Sequence, residues 1–295
     1  DQDSQQSTAA LQSASTAPSY THLVQLHPGA DNDAPPVFLV AGMFGNVLNL
    51  RHLAQELGVD RPVYGLQARG LMGSDAPHRD IAEAAADYLA EVKQIQPTGP
   101  YLFGGFSGGG ITAYEMAQQV EAQGETTAAL ILLDTPLPVR PSLTPVDKAL
   151  IKLQELRTKG PGYLLEWAKA RILWEISKRR HDPSAQNQTH LNQPQSNTPQ
   201  TFNNHKIEMA FRHAVETYTL QPWSGPLTLL RPPLDRHWQV SRGNWVSHER
   251  EYVFDDNDWA GWAPNIEVIE VPGNHDSMVL LPNVSTLAAA VKIKL

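Results

Sequence analysis

A serine flanked by glycines is the residue of this sequence best suited to covalent chemistry. Ser107 lies in the run Gly105-Phe106-Ser107-Gly108-Gly109, between an apolar stretch and a helical pattern. A nucleophilic serine of this G-x-S-x-G type sits on a strained strand-to-helix turn, where neighbouring backbone leaves room only for glycine two positions to either side. The start of the following helix also directs partial positive charge at a developing oxyanion. The motif predicts that Ser107 is a nucleophile, since the lysine of a phosphate-binding loop is absent.

A serine nucleophile needs a base, and His275 is the histidine best placed to serve. The sequence has 11 histidines. His275 lies in the short loop Pro272-Gly273-Asn274-His275-Asp276, directly after the last predicted strand. Functional loops of a parallel sheet gather at the carboxyl ends of its strands, and the base follows the nucleophile in this kind of site. We therefore predict that His275 accepts the proton of Ser107.

The base needs an acid to hold its tautomer, and two aspartates are candidates. Asp134 ends the predicted strand that follows the nucleophile helix, and Asp235 lies in a loop beyond the next strand, after two prolines. Asp134 is favoured because it directly adjoins its strand, which fixes the direction of its side chain. Asp276 is set aside, since side chains of adjacent residues rarely face each other.

Two backbone N–H groups are candidates for an oxyanion hole. One belongs to Gly108, the residue after the nucleophile, because this position supplies a donor in sites of this type. The second should come from the loop after the strand Val37 to Val40, which reads Ala41-Gly42-Met43-Phe44-Gly45. We predict that Met43 is this second donor.

The elements that must position these residues follow a regular alternation. Short, β-branched apolar runs alternate with amphipathic helical patterns, which predicts an α/β fold with a mostly parallel sheet and helices on both faces. The predicted strands are Val37 to Gly42, Val63 to Gln67, Tyr101 to Gly105, Ala129 to Asp134, Pro226 to Arg231 and Ile266 to Val271. Helical patterns cover Leu48 to Leu57, Ile81 to Ile95, Ile111 to Val120 and a closing segment from about Pro282.

One region breaks this alternation. Residues from about 135 to 204 show no strand pattern, and two amphipathic helices are predicted at Val146 to Arg157 and Gly162 to Arg180. A helical insertion after a strand that ends in an aspartate is a natural lid over an active site. Trp167 and Trp174, in the second of these helices, either line a channel for an apolar chain or pack the lid on the core.

Composition excludes several classes of function. A net charge of −8 and a pI near 5.7 argue against nucleic-acid binding. Cysteine is absent, which excludes thiolate chemistry, and no metal or nucleotide motif appears. No signal peptide or apolar run of membrane-spanning length is seen, so we expect a cytoplasmic protein without a membrane partner. Residues 1–20 are linker-like, and residues 21–295 are predicted to form the catalytic domain.

Four segments together resemble a known family. The run GPYLFGGFSGGGITAYEMAQQVEAQGE (Gly99 to Glu125) is joined by Val63 to Gly70, Ala129 to Pro136 and Pro272 to Met278. They resemble the type I thioesterase domains that end modular polyketide synthases and nonribosomal peptide synthetases, within the α/β-hydrolase superfamily. The doubled glycines around the serine, with A-Y-E-M-A in the next helix, go beyond a generic hydrolase.

The resemblance implies a specific reaction. An acyl, polyketide or peptidyl chain would arrive as a thioester on the phosphopantetheine arm of a carrier domain, with no cofactor bound to the thioesterase itself. Ser107 would take the acyl group, and water or another nucleophile would release it by hydrolysis, cyclisation or transfer. The resemblance also implies a triad with Asp134 as its acid, a helical lid, and an upstream carrier domain joined through residues 1–20.

Two departures and one alternative accompany the resemblance. The loop AGMFGN lacks the proline that often follows its strand in relatives, which bears on Met43. Phe106 stands where free-standing editing thioesterases usually have histidine, which favours an integrated terminal domain. The alternative function is a stand-alone carboxylesterase or lipase-like serine hydrolase acting on free esters, because such enzymes share the triad.

Overall fold

The fold is seen in a computed structural model, which describes residues 20–31, 33–160, 203–248 and 250–295. Within these residues, seven strands form one sheet in the order β1-β3-β2-β4-β5-β6-β9. The strands are β1 (Leu23–His27), β2 (Val37–Val40), β3 (Val63–Leu66), β4 (Tyr101–Phe106), β5 (Thr127–Leu133), β6 (Leu227–Arg231) and β9 (Ile266–Glu270). Every neighbouring pair is parallel except β1 with β3. The predicted mostly parallel sheet is confirmed.

Helices cover both faces of the sheet. In the described part of the chain they are α1 (Arg51–Leu57), α2 (Ile81–Ile95), α3 (Gly109–Ala122), α4 (Pro145–Lys159), α5 (Asn204–Thr217) and α6 (Val284–Lys292). Most buried apolar residues of α2 and α3 belong to one core cluster, and those of α1 and α6 belong to another. The two clusters lie on opposite faces of the sheet, because successive residues of a strand point to opposite sides.

The alternation of the central strands explains why their sequences are continuously apolar. Phe38 and Val40 of β2 belong to the first cluster, whereas Val37 and Leu39 belong to the second. A strand that is buried on both faces has no polar side, so it reads as an unbroken apolar run. The strand predictions at residues 37–42, 101–105 and 129–134 depended on this signal, and the structure confirms them.

Sequence analysis missed strand β1, helix α5 and a pair of short strands. Strand β1 lies at the edge of the sheet and is only partly buried, so its sequence lacks an apolar run. Helix α5 fully buries only Ile207 and Ala214, although Phe211 and Val215 continue the same apolar face, and sequence analysis overlooked this helical spacing. The third is a separate antiparallel pair, β7 (Trp238–Gln239) and β8 (Trp245–Val246), whose two-residue strands are too short to form a pattern.

A buried carboxylate fastens the first described segment to the rest of the domain. Glu91 of α2 accepts hydrogen bonds from three successive backbone N–H groups, those of Thr21, His22 and Leu23, at 2.7 to 2.9 Å. A carboxylate that accepts several backbone N–H groups makes charge-assisted bonds, which are stronger than neutral ones. This contact fixes where β1 begins.

Part of the predicted lid falls within the described residues. The first predicted lid helix is confirmed as α4. The side chain of Asp147 in α4 accepts hydrogen bonds from the Ser241 N–H (2.9 Å), the Thr144 hydroxyl (2.6 Å) and the Tyr252 hydroxyl (2.6 Å). These bonds hold the pKa of Asp147 well below its usual range. Helix α4 is therefore tied to the segment around β7 and β8.

Other predictions about the chain lie outside the described residues. They are the linker-like segment 1–20, apart from its last residue, and the second lid helix at 162–180. Trp167 and Trp174, the predicted lid contacts for a substrate, lie in that second segment. The lid at 135–204 and the domain at 21–295 stay predictions.

Candidate active site

Ser107 sits on the turn between β4 and α3, as its motif predicted. Its backbone φ is 53°, a left-handed value that is strained for a residue with a side chain. The Ser107 N–H donates to the carbonyl of Leu133 at 2.8 Å, which ties the turn to the end of β5. This geometry raises the side chain above the carboxyl edge of the sheet, where the loops after neighbouring strands converge.

The two glycines that flank this turn are required by close backbone contacts. A Cβ on Gly105 would lie 2.4 Å from the amide nitrogen of Gly110. A Cβ on Gly109 would lie 2.2 Å from the carbonyl oxygen of Ala41, at the end of β2. Neither neighbour is a side chain that could move away, so any larger residue would push the strand, the turn and the helix apart.

Three predicted residues form a continuous hydrogen-bonded chain. His275 Nδ1 lies 2.7 Å from Asp134 Oδ2, and His275 Nε2 lies 3.0 Å from Ser107 Oγ. A carboxylate can only accept, so Nδ1 carries the proton and Nε2 presents a lone pair to the serine hydroxyl. The ring of Phe106 stacks against His275 with centroids 5.1 Å apart, which limits rotation of the imidazole. This arrangement can move a proton from the serine to the histidine.

Asp134 is held by more groups than the histidine alone. Its side chain is fully buried. An Arg250 nitrogen lies 2.8 and 2.7 Å from its two oxygens, and Asn257 Nδ2 lies 3.1 Å from Oδ1. Burial by itself raises the pKa of Asp134. The hydrogen bonds that the carboxylate accepts from His275, Arg250 and Asn257, together with the positive charge of Arg250, lower the pKa by more. The net pKa is lowered, so the carboxyl group is ionised at neutral pH.

Sequence analysis missed both Arg250 and Asn257. Arg250 follows β8, and Asn257 lies in a turn where its own φ is 51°. Arg250 also donates to Asn257 Oδ1 at 2.6 Å, so the two residues hold each other as well as Asp134. The sequence carries no signal for them, because neither follows a strand of the main sheet and both meet Asp134 only through the folded chain.

The second candidate acid, Asp235, bonds to a different histidine. Its carboxylate lies 3.0 Å from Nδ1 of His248, on an exposed part of the β7–β8 region. His275 instead contacts Asp134. The structure therefore brings together Ser107, His275 and the favoured acid, and leaves the alternative apart.

The two predicted oxyanion donors border the same cavity as Ser107. The Gly45 N–H donates to the Gly42 carbonyl at 2.8 Å, so Met43 lies inside a tight turn after β2. Within the described residues, the backbone N–H groups of Met43 and Gly108 donate to no backbone carbonyl. Both are therefore available to a ligand, and their role as an oxyanion hole stays a prediction.

The cavity that opens at Ser107 has a volume of about 780 Å³. This is large enough for a drug-sized ligand. Its apolar wall is formed by the segment after β5, with Pro136 and Leu137, and by Phe211 and Val215 of α5. The missed helix α5 is therefore part of the site. The charged part of the wall includes Arg140, Arg212, Glu216, Arg250, Glu251, Asp258 and Asp276.

Two groups of side chains in the described residues have ligand atoms close enough to share a metal ion. One is His22, His78 and Asp87, and the other is Asp235, His237 and His248. Neither group borders the cavity at Ser107. His78 already bonds to Asp87 at 2.8 Å, and burial lowers the pKa of His78, so a hydrogen-bond network accounts for the buried group.

Over the residues that the structure describes, no helix is both long and apolar enough to cross a membrane.

Comparison with known proteins finds similarity to thioesterase domains. Residues 35–160 match the model of the thioesterase domain family. The polyketide synthase PksR of Bacillus subtilis is 28% identical over 297 residues, which cover 92% of this chain and 11% of PksR. A dimodular nonribosomal peptide synthase of the same organism is 37% identical over 139 residues, 45% of this chain and 6% of that protein. The chain thus spans only a small part of these relatives.

A solved structure confirms the fold. The NocB thioesterase domain, in covalent complex with a fluorophosphonate nocardicin G analogue, superposes with a TM-score of 0.59 at 21% identity, over 92% of this chain and 99% of that domain. The predicted α/β-hydrolase fold is therefore confirmed. With the family match and the synthase relatives, the predicted resemblance to thioesterase domains of such assembly lines is also confirmed.

Proposed function

We propose that this chain, which is similar to the thioesterase domains of polyketide synthases and nonribosomal peptide synthetases, releases an acyl, polyketide or peptidyl chain from a carrier domain. Release proceeds through an acyl group on Ser107. The observation that carries the proposal is His275, whose two ring nitrogens lie 3.0 Å from Ser107 Oγ and 2.7 Å from Asp134 Oδ2. This is the arrangement that activates a serine nucleophile.

In the first half of the reaction, the serine takes the acyl group. Oγ of Ser107 bonds to the thioester carbonyl carbon while His275 Nε2 takes the hydroxyl proton. The carbonyl oxygen becomes an oxyanion, and the N–H groups of Met43 and Gly108 stabilise it. The C–S bond then breaks, and the departing sulfur receives the proton from His275, which leaves a neutral histidine and an ester on Ser107.

In the second half, a hydroxyl or amine replaces the serine. His275 takes a proton from water, or from a nucleophile on the acyl chain or an acceptor, as that atom attacks the ester carbonyl. The C–O bond to Ser107 breaks, and His275 returns the proton to the serine oxygen. Asp134 stays ionised throughout, because Arg250 and Asn257 stabilise its charge, and it stabilises the imidazolium that forms twice per cycle.

The substrate in this proposal is presented by another domain. Its thioester is carried on a phosphopantetheine arm, so the thioesterase needs no cofactor of its own. The matched relatives are synthases of which this chain spans a small share, which supports an upstream carrier domain in the same polypeptide. The cavity of about 780 Å³ at Ser107 offers room for the acyl chain.

The proposal is tested by intact-protein mass spectrometry after incubation with acyl thioesters of N-acetylcysteamine. We expect the wild type to gain the mass of the acyl group and Ser107→Ala to gain none. Ser285→Ala is a matched control, because Ser285 lies on α6 and bonds only to Glu56 at 3.1 Å among the described contacts. Cleavage of simple oxygen esters, without an adduct or turnover from any thioester, would instead support a carboxylesterase.

A further inference from the structure

Three arginines line the cavity at Ser107, and two of them form ion pairs with acidic side chains. Arg250 bonds to Asp134, and Arg212 bonds to Glu208 at 2.8 Å on the same helix. Among the contacts of the described residues, Arg140 donates to no carboxylate or carbonyl. Its guanidinium group therefore offers free donors to whatever occupies the cavity.

The surroundings of Arg140 do not compensate its charge. It lies between Pro138 and Pro141 in the loop after β5, and solvent reaches it through the open cavity. Arg140 is an exposed residue, and the protein around it and the nearby charge of Arg250 lower its pKa, whereas the charge of Asp134 raises it. Asp134 already accepts hydrogen bonds from Arg250, Asn257 and His275.

The other acids of the cavity leave Arg140 unpaired. Glu251 accepts a hydrogen bond from the backbone of Leu143 at 3.3 Å, and the pKa of Asp258 is raised by burial and by the nearby charge of Asp256. Among the described residues, no ion pair joins Arg140 to Glu251 or Asp258, nor to Glu216 or Asp276, the other acids of the wall. Arg140 is exposed to solvent, so its charge is hydrated, and an anionic ligand group in the cavity would gain a charge-assisted bond from donors that no described residue uses.

We propose that Arg140 binds a carboxylate carried by the acyl chain, so that this site prefers acidic acyl thioesters. The inference rests on the proposed function, because it names the substrate class of the same cavity. The planar fork of an arginine matches a carboxylate with two parallel hydrogen bonds. The phosphate of the pantetheine arm is not the partner, since it lies at the end of the arm remote from the thioester, whereas Arg140 shares the cavity with Ser107 and Asp134.

The test compares pairs of N-acetylcysteamine thioesters that differ only at the end of the acyl chain. In each pair, from succinyl to adipyl length, one member ends in a free carboxylate and the other in its methyl ester. For at least one chain length, we expect the kcat/KM of the wild type to be about tenfold higher for the acidic member than for its methyl ester. One good charge-assisted hydrogen bond has an effect of about this size. Arg140→Gln should abolish this ratio, and Arg212→Gln should keep it, because Arg212 is already paired.

The proposal fails if the wild type shows no acidic preference at any length, or if Arg140→Gln and Arg212→Gln change the ratio equally. Failure of the proposed function looks different, since then neither member of any pair would acylate Ser107. Binding of the corresponding unreactive amides, measured by calorimetry, decides the inference in that case. Weaker binding of the acidic amide to Arg140→Gln alone would support it, and equal binding to wild type and variant would overturn it.

Discussion

Replacing Arg250 by methionine tests how the buried acid of the site is held. Methionine keeps much of the side-chain length but removes the positive charge and every donor. The variant leaves Asp134, whose side chain is fully buried, without its two closest arginine contacts at 2.7 and 2.8 Å. The variant also removes the hydrogen bond that Arg250 donates to Asn257 Oδ1 at 2.6 Å.

The size of the effect follows from what remains around the carboxylate. A hydrogen bond to a charged group contributes about 1.5–3 kcal/mol to stability, and breaking a buried pair costs about 3–5 kcal/mol. The Arg250 side chain is 24% exposed, so water can reach the vacated place, and His275 and Asn257 still bond to Asp134. We therefore expect a loss of about 1.5–3 kcal/mol in the free energy of unfolding.

Urea unfolding at pH 7 measures this loss, with Arg236→Met as the matched control. Arg236 pairs with Asp255, but their side chains are 46% and 73% exposed. An exposed ion pair contributes about 0–1 kcal/mol, so the control should remain close to wild type. Equal stability of Arg250→Met and Arg236→Met would refute the reasoning, because it would mean that the buried carboxylate does not depend on the guanidinium.

Three further predictions address the turn at Ser107, helix α4 and the candidate acid. Gly109→Ala should lose about 1–3 kcal/mol of unfolding free energy in urea, because its Cβ would lie 2.2 Å from a backbone oxygen; Gly261→Ala, where no atom lies within 4 Å, should match wild type. Asp147→Asn should be less stable than wild type at pH 7, but the difference should shrink below about pH 4, since a carboxyl group with a lowered pKa loses its contribution as the pH falls through its folded value. A pH-independent difference would contradict this. Asp134→Asn should lower kcat on thioesters by about 10⁴-fold with near-native circular dichroism, because an amide can reverse the tautomer of His275; retention of activity would argue against the triad.

Local pattern accounts for most of what sequence analysis predicted correctly. The strands at 37–42, 101–105 and 129–134 are buried on both faces, so each reads as a short apolar run. Helix α4 was predicted at Val146 to Arg157 from its amphipathic pattern, and it spans Pro145–Lys159. The edge strand β1 fully buries only Leu23, and β7 and β8 have two residues each, so none of the three forms an apolar run or a regular alternation.

The candidate site likewise contains residues with a clear sequence signal and residues without one. The turn at Ser107 could be predicted from five consecutive residues, because the glycines there avoid steric clashes with backbone that is close by. The ends of parallel strands gather at one edge of the sheet, which is why Asp134 and His275 could be placed near Ser107 before any contact was known.

The sequence by itself therefore predicted the candidate nucleophile, its candidate base, a preferred acid and the mostly parallel sheet, of which the structure confirms the sheet. Only the tertiary structure decided that Asp134 rather than Asp235 faces His275, across 141 residues of chain. It also decided that Arg250 holds Asp134 from 116 residues away and that Arg140 has no such partner among the described residues. The physical reason is that hydrogen bonds and ion pairs depend on where side chains meet in space, and residues so far apart in sequence share no local pattern that could report the contact.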